Sequence, residues 1–236
     1  MKLLWNTIFY NPLYNLLMFF VSISPGRDLG IAVIFLTLLV KILLYPLSKK
    51  AITSQFKLKM LQPKLDLIKE ETPDKQLQAQ KTFALYKSEG VNPFSSCLVL
   101  LIQLPILFAL YHVFLSGLGS INTGLIYSFF PTPSGINPNF LNLVDITKPH
   151  ILFALLAGIS QFFQLKYQPI VQEKPTNTND MQGMMAYNMT KQMKYILPVI
   201  ITIVSIKLPA ALALYWIVSN VVTLIQERAI KRSLHA

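Results

Sequence analysis

Five long apolar segments, separated by polar or charged loops, constrain the fold of this chain most strongly. They cover residues 29–47, 94–117, 151–165, 195–206 and 208–225. About 20 apolar helical residues are needed to cross a hydrocarbon core of about 30 Å. Of all residues, 53% are hydrophobic and only 13% are charged, which leaves too little polar surface for a water-soluble globule. We therefore predict an all-α integral membrane protein with a core of five transmembrane helices.

The same pattern divides the chain into spans and connections. The predicted spans are residues 29–47, 93–117, 149–168, 191–207 and 208–227. The predicted connections are an N-terminal segment (1–28), a cytoplasmic helical hairpin (48–92), an outer loop (118–148), a cytoplasmic loop (169–190) and a cytoplasmic tail (228–236). The third and fourth apolar segments are short for a full crossing, which favours a locally thinned bilayer.

The positions of the basic residues predict the orientation. Cytoplasmic loops of membrane proteins collect Lys and Arg. Nine basic residues lie in the hairpin, four between Lys166 and Lys194 around the second cytoplasmic loop, and three in the tail, which makes sixteen against four on the opposite side. We therefore expect the N-terminus outside and the C-terminus in the cytoplasm.

The N-terminal segment carries its own helix signals. Asn11 and Pro12 are typical of a helix start, and Pro25 and Gly26 of a helix end. The apolar residues between them share one face, and about 12 residues are too few to span. We predict an amphipathic helix in the plane of the outer membrane surface. The alternatives are a sixth span and a cleaved signal peptide, the latter disfavoured because no small-residue cleavage site follows clearly.

The charged region 48–92 has the periodicity of two helices. Leu58, Leu61, Leu65 and Ile68 repeat with heptad-like spacing, whereas Ala79, Phe83 and Tyr86 share a face of a second helix. Pro73 lies in the turn between them, and Gly90 suits a helix end. The alternative is a solvated charged linker.

Lys41 is the only charge in the first apolar run. A buried charge there costs about 2.5 to 3.5 kcal/mol and usually faces a polar cavity, although a long stem also reaches an interface by snorkelling. Other polar residues occur at similar depths in the spans: Thr37, Gln103, Ser160, Gln161, Gln164, Tyr215, Trp216, Ser219 and Asn220. The five apolar segments contain no acidic residue, so we expect Lys41 to meet water or an incoming acidic group in a hydrophilic groove.

Enzyme and metal chemistry find little support in the sequence. The single cysteine, Cys97, has no partner for an internal disulfide, and no Cys/His cluster or phosphate-binding loop is present. His112 and Ser116 are four residues apart, but a helical pair of this kind is an unusual nucleophile and base. We predict no enzyme activity, no catalytic residue, no metal and no cofactor.

Several stretches taken together resemble the YidC/Oxa/Alb family of membrane-protein insertases. They are LTLLVKILLYPLSKK, MLQPKLDLIKE, LYKSEGVNPFSSCLVLLIQLPILFALY, LVDITKPHILFALLAG and LPAALALYWIVSNVVTLIQE. Their order and spacing are kept from residue 29 to residue 228, and the chain resembles the short form without a large outer domain. The resemblance implies a five-helix core around a groove that is open to cytoplasm and lipid but closed outside. Lys41 stands where many bacterial members have arginine, which keeps the charge but loses bidentate geometry.

The resemblance also implies a function, a location and partners. It assigns Lys41, Thr37, Gln103, Tyr215 and Trp216 to groove or substrate-contact positions. The expected function is a membrane protein insertase and chaperone in the bacterial cytoplasmic membrane. Its expected partners are nascent membrane proteins, lipids, and in some cases the ribosome and the Sec translocon, but not DNA. Two alternatives remain at this point: a small channel or transporter using the same groove, and a folding chaperone that depends on a separate translocon.

Overall fold

The computed structural model describes residues 2–92, 95–117, 121–168 and 181–235. Its α-helices are α1 (Lys2–Trp5), α2 (Asn11–Ile23), α3 (Leu29–Leu43), α4 (Tyr45–Met60), α5 (Gln62–Glu71), α6 (Lys75–Ser88), α7 (Ser95–Gly117), α8 (Ile151–Tyr167), α9 (Met181–Ser205) and α10 (Ala210–His235). Strand β1 (Asn139–Phe140) pairs antiparallel with β2 (Val144–Asp145). The predicted all-α class is confirmed, apart from this short pair of strands.

Helix α10 lies at the centre of the bundle. It packs against α3, α8, α4 and α7, and α8 packs in turn against α9. At Gly158, an added Cβ would collide with the side chain of Thr202, so the missing side chain allows α8 and α9 to approach closely. The core between these helices is apolar, with Leu36, Ala109, Leu110, Ala213 and Leu214 among its buried residues.

The lengths of the described helices bear on membrane crossing. Helix α10 alone has a stretch, Ala210–Leu234, that is long and apolar enough to span, and α3 with α4 meets the same test as a pair bent by 64°. Shorter apolar stretches are Gln103–Leu115, Ile151–Tyr167 and Gln192–Ser205. The bend falls at Leu44, two residues before Pro46, because proline has no backbone N–H to donate and its ring clashes with the carbonyl group four residues earlier.

Helices α8 and α9 expose apolar side chains in continuous stripes. On α8 they include Ile151, Leu155, Ile159 and Phe163, and on α9 they include Ile196, Val199, Ile200 and Ile203. The α8 residues recur every four positions and so share one helical face. Exposed apolar stripes of this extent are typical of surfaces that meet lipid or a partner.

The N-terminal helical run is longer than the sequence indicated. A π-helical turn, Asn6–Tyr10, joins α1 to α2, so the run begins at Lys2 rather than near Asn11. Helix α2 packs against α3 and α7. Its buried residues include Tyr14, Leu17, Met18 and Val21.

Region 48–92 contains α5 and α6 joined by a turn at residues 72–74. Leu58, Leu61 and Leu65 are buried together with Tyr86 and Val91. Of the three residues that share a face of the second helix in the sequence pattern, Tyr86 is buried, whereas Ala79 is exposed and Phe83 is 61% exposed. The buried cluster involves only the C-terminal end of α6, which leaves the rest of that helix uncovered.

The connection between α7 and α8 covers the start of α3. Asp28 caps α3 by accepting hydrogen bonds from Gly30 N (2.7 Å) and Ile31 N (3.1 Å). Its second carboxylate oxygen accepts from Leu141 N in the connection, at 2.6 Å. An added Cβ on Gly30 would collide with the ring of Phe140, so Gly30 allows β1 to lie directly on α3.

The same connection is also tied to α2. The buried Asn15 side chain donates to Leu125 O (2.9 Å) and accepts from Tyr127 N (2.7 Å). The Tyr14 hydroxyl accepts from Asn122 N, also at 2.9 Å. These hydrogen bonds give side-chain partners to backbone groups of an irregular, partly buried segment and hold it against α2.

Candidate functional site: a buried polar cluster between helices

Lys41 lies in the last turn of α3 and only 9% of its surface is exposed. Its Nζ donates a hydrogen bond to Thr223 Oγ1 on α10, at 2.9 Å, and that hydroxyl donates to Ser219 O at 2.8 Å. An ammonium group has three donors. Among the described residues, Thr223 is its one hydrogen-bond acceptor, so Lys41 keeps capacity for a further acceptor.

Glu227 follows Thr223 by one helical turn and is 3% exposed. Its Oε1 accepts a hydrogen bond from Gln164 Nε2 on α8, at 3.3 Å, and Gln161 Nε2 donates to Gln164 Oε1 at 3.1 Å. Its Oε2 is buried without a hydrogen-bond partner in the described part of the chain. Lys41 and Glu227 form no direct ion pair, but their charges interact across the cluster.

Glu227 is an acidic residue near Lys41 that the sequence analysis did not include in the site, although the two form no direct ion pair. The fifth apolar segment ends at residue 225. Glu227 follows two residues later, at the end of the predicted span 208–227. A signal was nevertheless present, because Tyr215, Ser219, Thr223 and Glu227 follow one another at intervals of four. Side chains at that spacing lie on one helical face.

The other polar residues from the sequence analysis form separate contacts. Gln103 Nε2 on α7 donates to the hydroxyl of Tyr215, which is almost fully buried. Asn220 Nδ2 donates to Ser160 Oγ on α8, at 3.0 Å. Each of these pairs joins α10 to a different helix.

Thr37 and Trp216 have no side-chain partner in this polar cluster. The Thr37 hydroxyl is buried and donates to Val33 O within α3, at 2.6 Å. Trp216 is half-buried and packs against the apolar core. In the sequence, Thr37 lies four residues before Lys41, and Trp216 follows Tyr215. Neither Thr37 nor Trp216 is hydrogen-bonded to Lys41.

Two alternatives to a binding groove, catalysis by His112 with Ser116 and a metal site, are less well supported by the described residues. His112 Nδ1 is hydrogen-bonded to Phe108 O at 2.8 Å, whereas the side chains of Ser116 and Cys97 lie outside the described part. No group of three or more metal-ligating residues occurs in the ranges that the structure describes. The cluster offers one ammonium group, one carboxylate and several amides and hydroxyls, a set suited to binding polar groups.

Apolar helices with exposed stripes, arranged around a buried lysine and a buried glutamate, are typical of a helical membrane protein with an internal polar site. Comparison with known proteins gives the family. The chain belongs to the 60Kd inner membrane protein family, whose model matches residues 19–236. This confirms the resemblance to the YidC-type insertases noted from the sequence.

Named relatives support the same assignment. The chain is 35% identical over 231 residues to a protein of Haemophilus ducreyi named membrane protein insertase YidC, covering 98% of this chain and 38% of the relative. A relative of the same name from Shewanella pealeana is 38% identical over 222 residues, covering 93% of this chain and 36% of the relative. The chain therefore spans less than two fifths of the length of these relatives.

Proposed function

We propose that this chain is a membrane protein insertase and chaperone. The observation that carries the proposal is Lys41, a buried ammonium group with one hydrogen-bond acceptor in a bundle of apolar helices. Intramembrane charges are expensive and usually mark a path or binding site for polar groups. Relatives over nearly the whole chain bear the name membrane protein insertase.

The proposed site is a hydrophilic groove in a five-helix core built from α3, α7, α8, α9 and α10. Lys41, Thr37, Gln103, Tyr215, Trp216, Ser219 and Asn220 are its proposed groove and client-contact residues. The groove opens to the cytoplasm and to lipid and is closed outside. The hydrogen bonds of Asp28 and Asn15 to the α7–α8 connection support closure at the outer end.

The proposed mechanism lowers the cost of moving a polar segment through lipid. Stripping water from polar groups opposes translocation, and a wet groove shortens the dry distance. The apolar stretch Gln192–Ser205 has 14 residues, or about 21 Å of helix, which favours bilayer thinning. Lys41 attracts the polar, often acidic, translocated segment. The apolar client helix meanwhile enters lipid beside Tyr215 and Trp216, driven by hydrophobic burial and, for acidic segments, by the membrane potential.

Topology and partners follow from the same proposal. The chain lies in the bacterial cytoplasmic membrane with its N-terminus outside and its C-terminus in the cytoplasm. α2 lies in the outer interface, and the basic hairpin and tail face anionic lipid or ribosomal RNA. Client chains, lipids, the ribosome and the Sec translocon are the proposed partners. No cofactor, nucleotide or enzymatic step is needed.

The test uses liposomes containing the purified protein and a small one-span client. Protease protection measures how much of the client's N-terminal segment reaches the lumen, and release of an entrapped small ion measures leakage. The proposal predicts client insertion above empty liposomes without ion release. Ion flux without insertion would support a channel instead, and insertion only when a translocon is added would reduce the role to that of a dependent chaperone.

A further inference from the structure

We infer that Glu227 weakens the binding of acidic client groups to Lys41, because its carboxyl group lies one helical turn beyond Thr223, the hydrogen-bond acceptor of Lys41. The inference rests on the proposed insertase function and deepens it, since it names the residue that sets how strongly the groove prefers acidic segments. Glu227 is therefore a specificity-determining residue that acts through Lys41.

The first support is the scarcity of acidic groups around Lys41. Helices α3, α4, α8 and α10 surround the cluster, and within their described ranges the sequence contains a single carboxylate, that of Glu227. Thr223, the hydrogen-bond acceptor of Lys41, lies one turn before Glu227 on the same face of α10. The charges of Lys41 and Glu227 interact, although no direct ion pair joins them.

The second support is that neither Glu227 nor Lys41 has a full set of hydrogen-bond partners among the described residues. Gln164 holds one oxygen of Glu227, while the other oxygen is buried without a hydrogen-bond partner among the described residues. Lys41 has one acceptor for its three donors. A direct Lys41–Glu227 pair would satisfy both but is not formed. The arrangement thus leaves the ammonium group available while keeping the carboxyl group of Glu227 near it.

A consequence follows for client selection. The carboxylate of a client and that of Glu227 repel each other and attract the same ammonium group. A charge of the same sign beside the ammonium group therefore weakens the binding of an acidic segment without occupying Lys41. Removal of the Glu227 charge should strengthen binding of acidic segments and leave neutral segments unaffected.

The experiment measures initial insertion rates in liposomes for two matched one-span clients, whose translocated segments carry either two aspartates or two asparagines. The proteins compared are the wild type, Glu227→Gln, Glu227→Asp, Lys41→Ala and the double variant Lys41→Ala/Glu227→Gln. The expected result is a gain of about fivefold for the acidic client in Glu227→Gln. The neutral client should be inserted at an unchanged rate, Glu227→Asp should show no such gain, and the double variant should lose it.

Two results would overturn the inference. One is an unchanged or lower ratio of acidic to neutral insertion in Glu227→Gln, and the other is an equal gain in the double variant. If Glu227→Gln does not fold, Gln164→Leu provides the second test. Loss of the amide that holds Glu227 should let it pair with Lys41 and lower the acidic-to-neutral ratio, and a raised or unchanged ratio would contradict the inference. The proposed function fails separately, if the wild type inserts neither client.

Discussion

Lys41 Nζ lies 2.9 Å from Thr223 Oγ1, and this hydrogen bond joins α3 to α10 between residues 182 positions apart. The hydroxyl donates its own hydrogen bond to Ser219 O at 2.8 Å, so it serves as an acceptor toward the ammonium group. A threonine in the middle of an apolar helix therefore positions the one charge of α3.

Replacement of Thr223 by valine removes that acceptor with little change of shape. We expect a loss of about 1 to 3 kcal/mol in unfolding free energy, because a buried charged donor is left without its partner. Denaturant or thermal unfolding in detergent measures the loss. Thr223→Ser should restore most of the stability, and Thr82→Val, on α6, serves as the control with a change near zero. Equal stability of Thr223→Val and the wild type would show that Lys41 does not depend on this acceptor.

The Gln103–Tyr215 hydrogen bond makes a prediction about coupling between α7 and α10. Gln103→Leu and Tyr215→Phe should each destabilise the fold, and the double variant should lose less than the sum of the two. We expect a coupling free energy of about 1 kcal/mol in a double-mutant cycle of unfolding. Strict additivity would contradict a direct interaction between the two side chains.

Asn15 makes a prediction about the α7–α8 connection. Asn15→Leu would leave Leu125 O and Tyr127 N without their side-chain partners. Each unpaired buried group costs about 1 to 3 kcal/mol, so a clear drop in thermal stability is expected, together with faster proteolysis of residues 121–130. Ser22→Ala is a matched control, because within the described part of the chain the Ser22 hydroxyl donates its hydrogen bond to Phe19 O in its own helix. Unchanged proteolysis in Asn15→Leu would contradict the conclusion that Asn15 holds the α7–α8 connection against α2.

Asp145 predicts a pH dependence. Hydrogen bonds from Thr147, with a smaller contribution from Lys148, hold the pKa of the Asp145 carboxyl below its usual range. A carboxyl with a lowered pKa stabilises the fold above its unfolded pKa of about 4 and loses that contribution as the pH falls through the folded value. The free energy of unfolding of the wild type should exceed that of Asp145→Asn by about 1 kcal/mol at pH 6. This difference should shrink below pH 4. A difference in unfolding free energy that stays constant with pH would contradict the lowered pKa of Asp145.

The helices could be predicted from the sequence because apolar runs and their charged boundaries are local signals. Lys41 also stood out, as the one charge in an apolar run. The bend at Leu44 was missed because Pro46 was taken to lie at the end of a span rather than at the start of α4. The exposure of Phe83 could not be predicted, because periodicity shows which residues share a face but not how far along the helix its partner extends.

The polar cluster was only partly predictable. Long-range pairing of α3, α8 and α10 decides which polar residues meet, and no single helix contains that information. Glu227 lay just beyond the apolar segment, so its burial beside Gln164 depended on packing that the sequence does not describe. Its spacing of four residues from Thr223 was the one available signal.

The most direct test of the account is insertion of a client with an acidic translocated segment into liposomes containing the wild type, Lys41→Ala or Lys41→Arg. Folding of each variant is checked by thermal unfolding in detergent. We expect the wild type and Lys41→Arg to insert the client. The rate of insertion by Lys41→Ala should fall by about tenfold, the equivalent of about 1.4 kcal/mol. Equal insertion by a folded Lys41→Ala would contradict the account, because the buried ammonium group would then have no part in receiving the client.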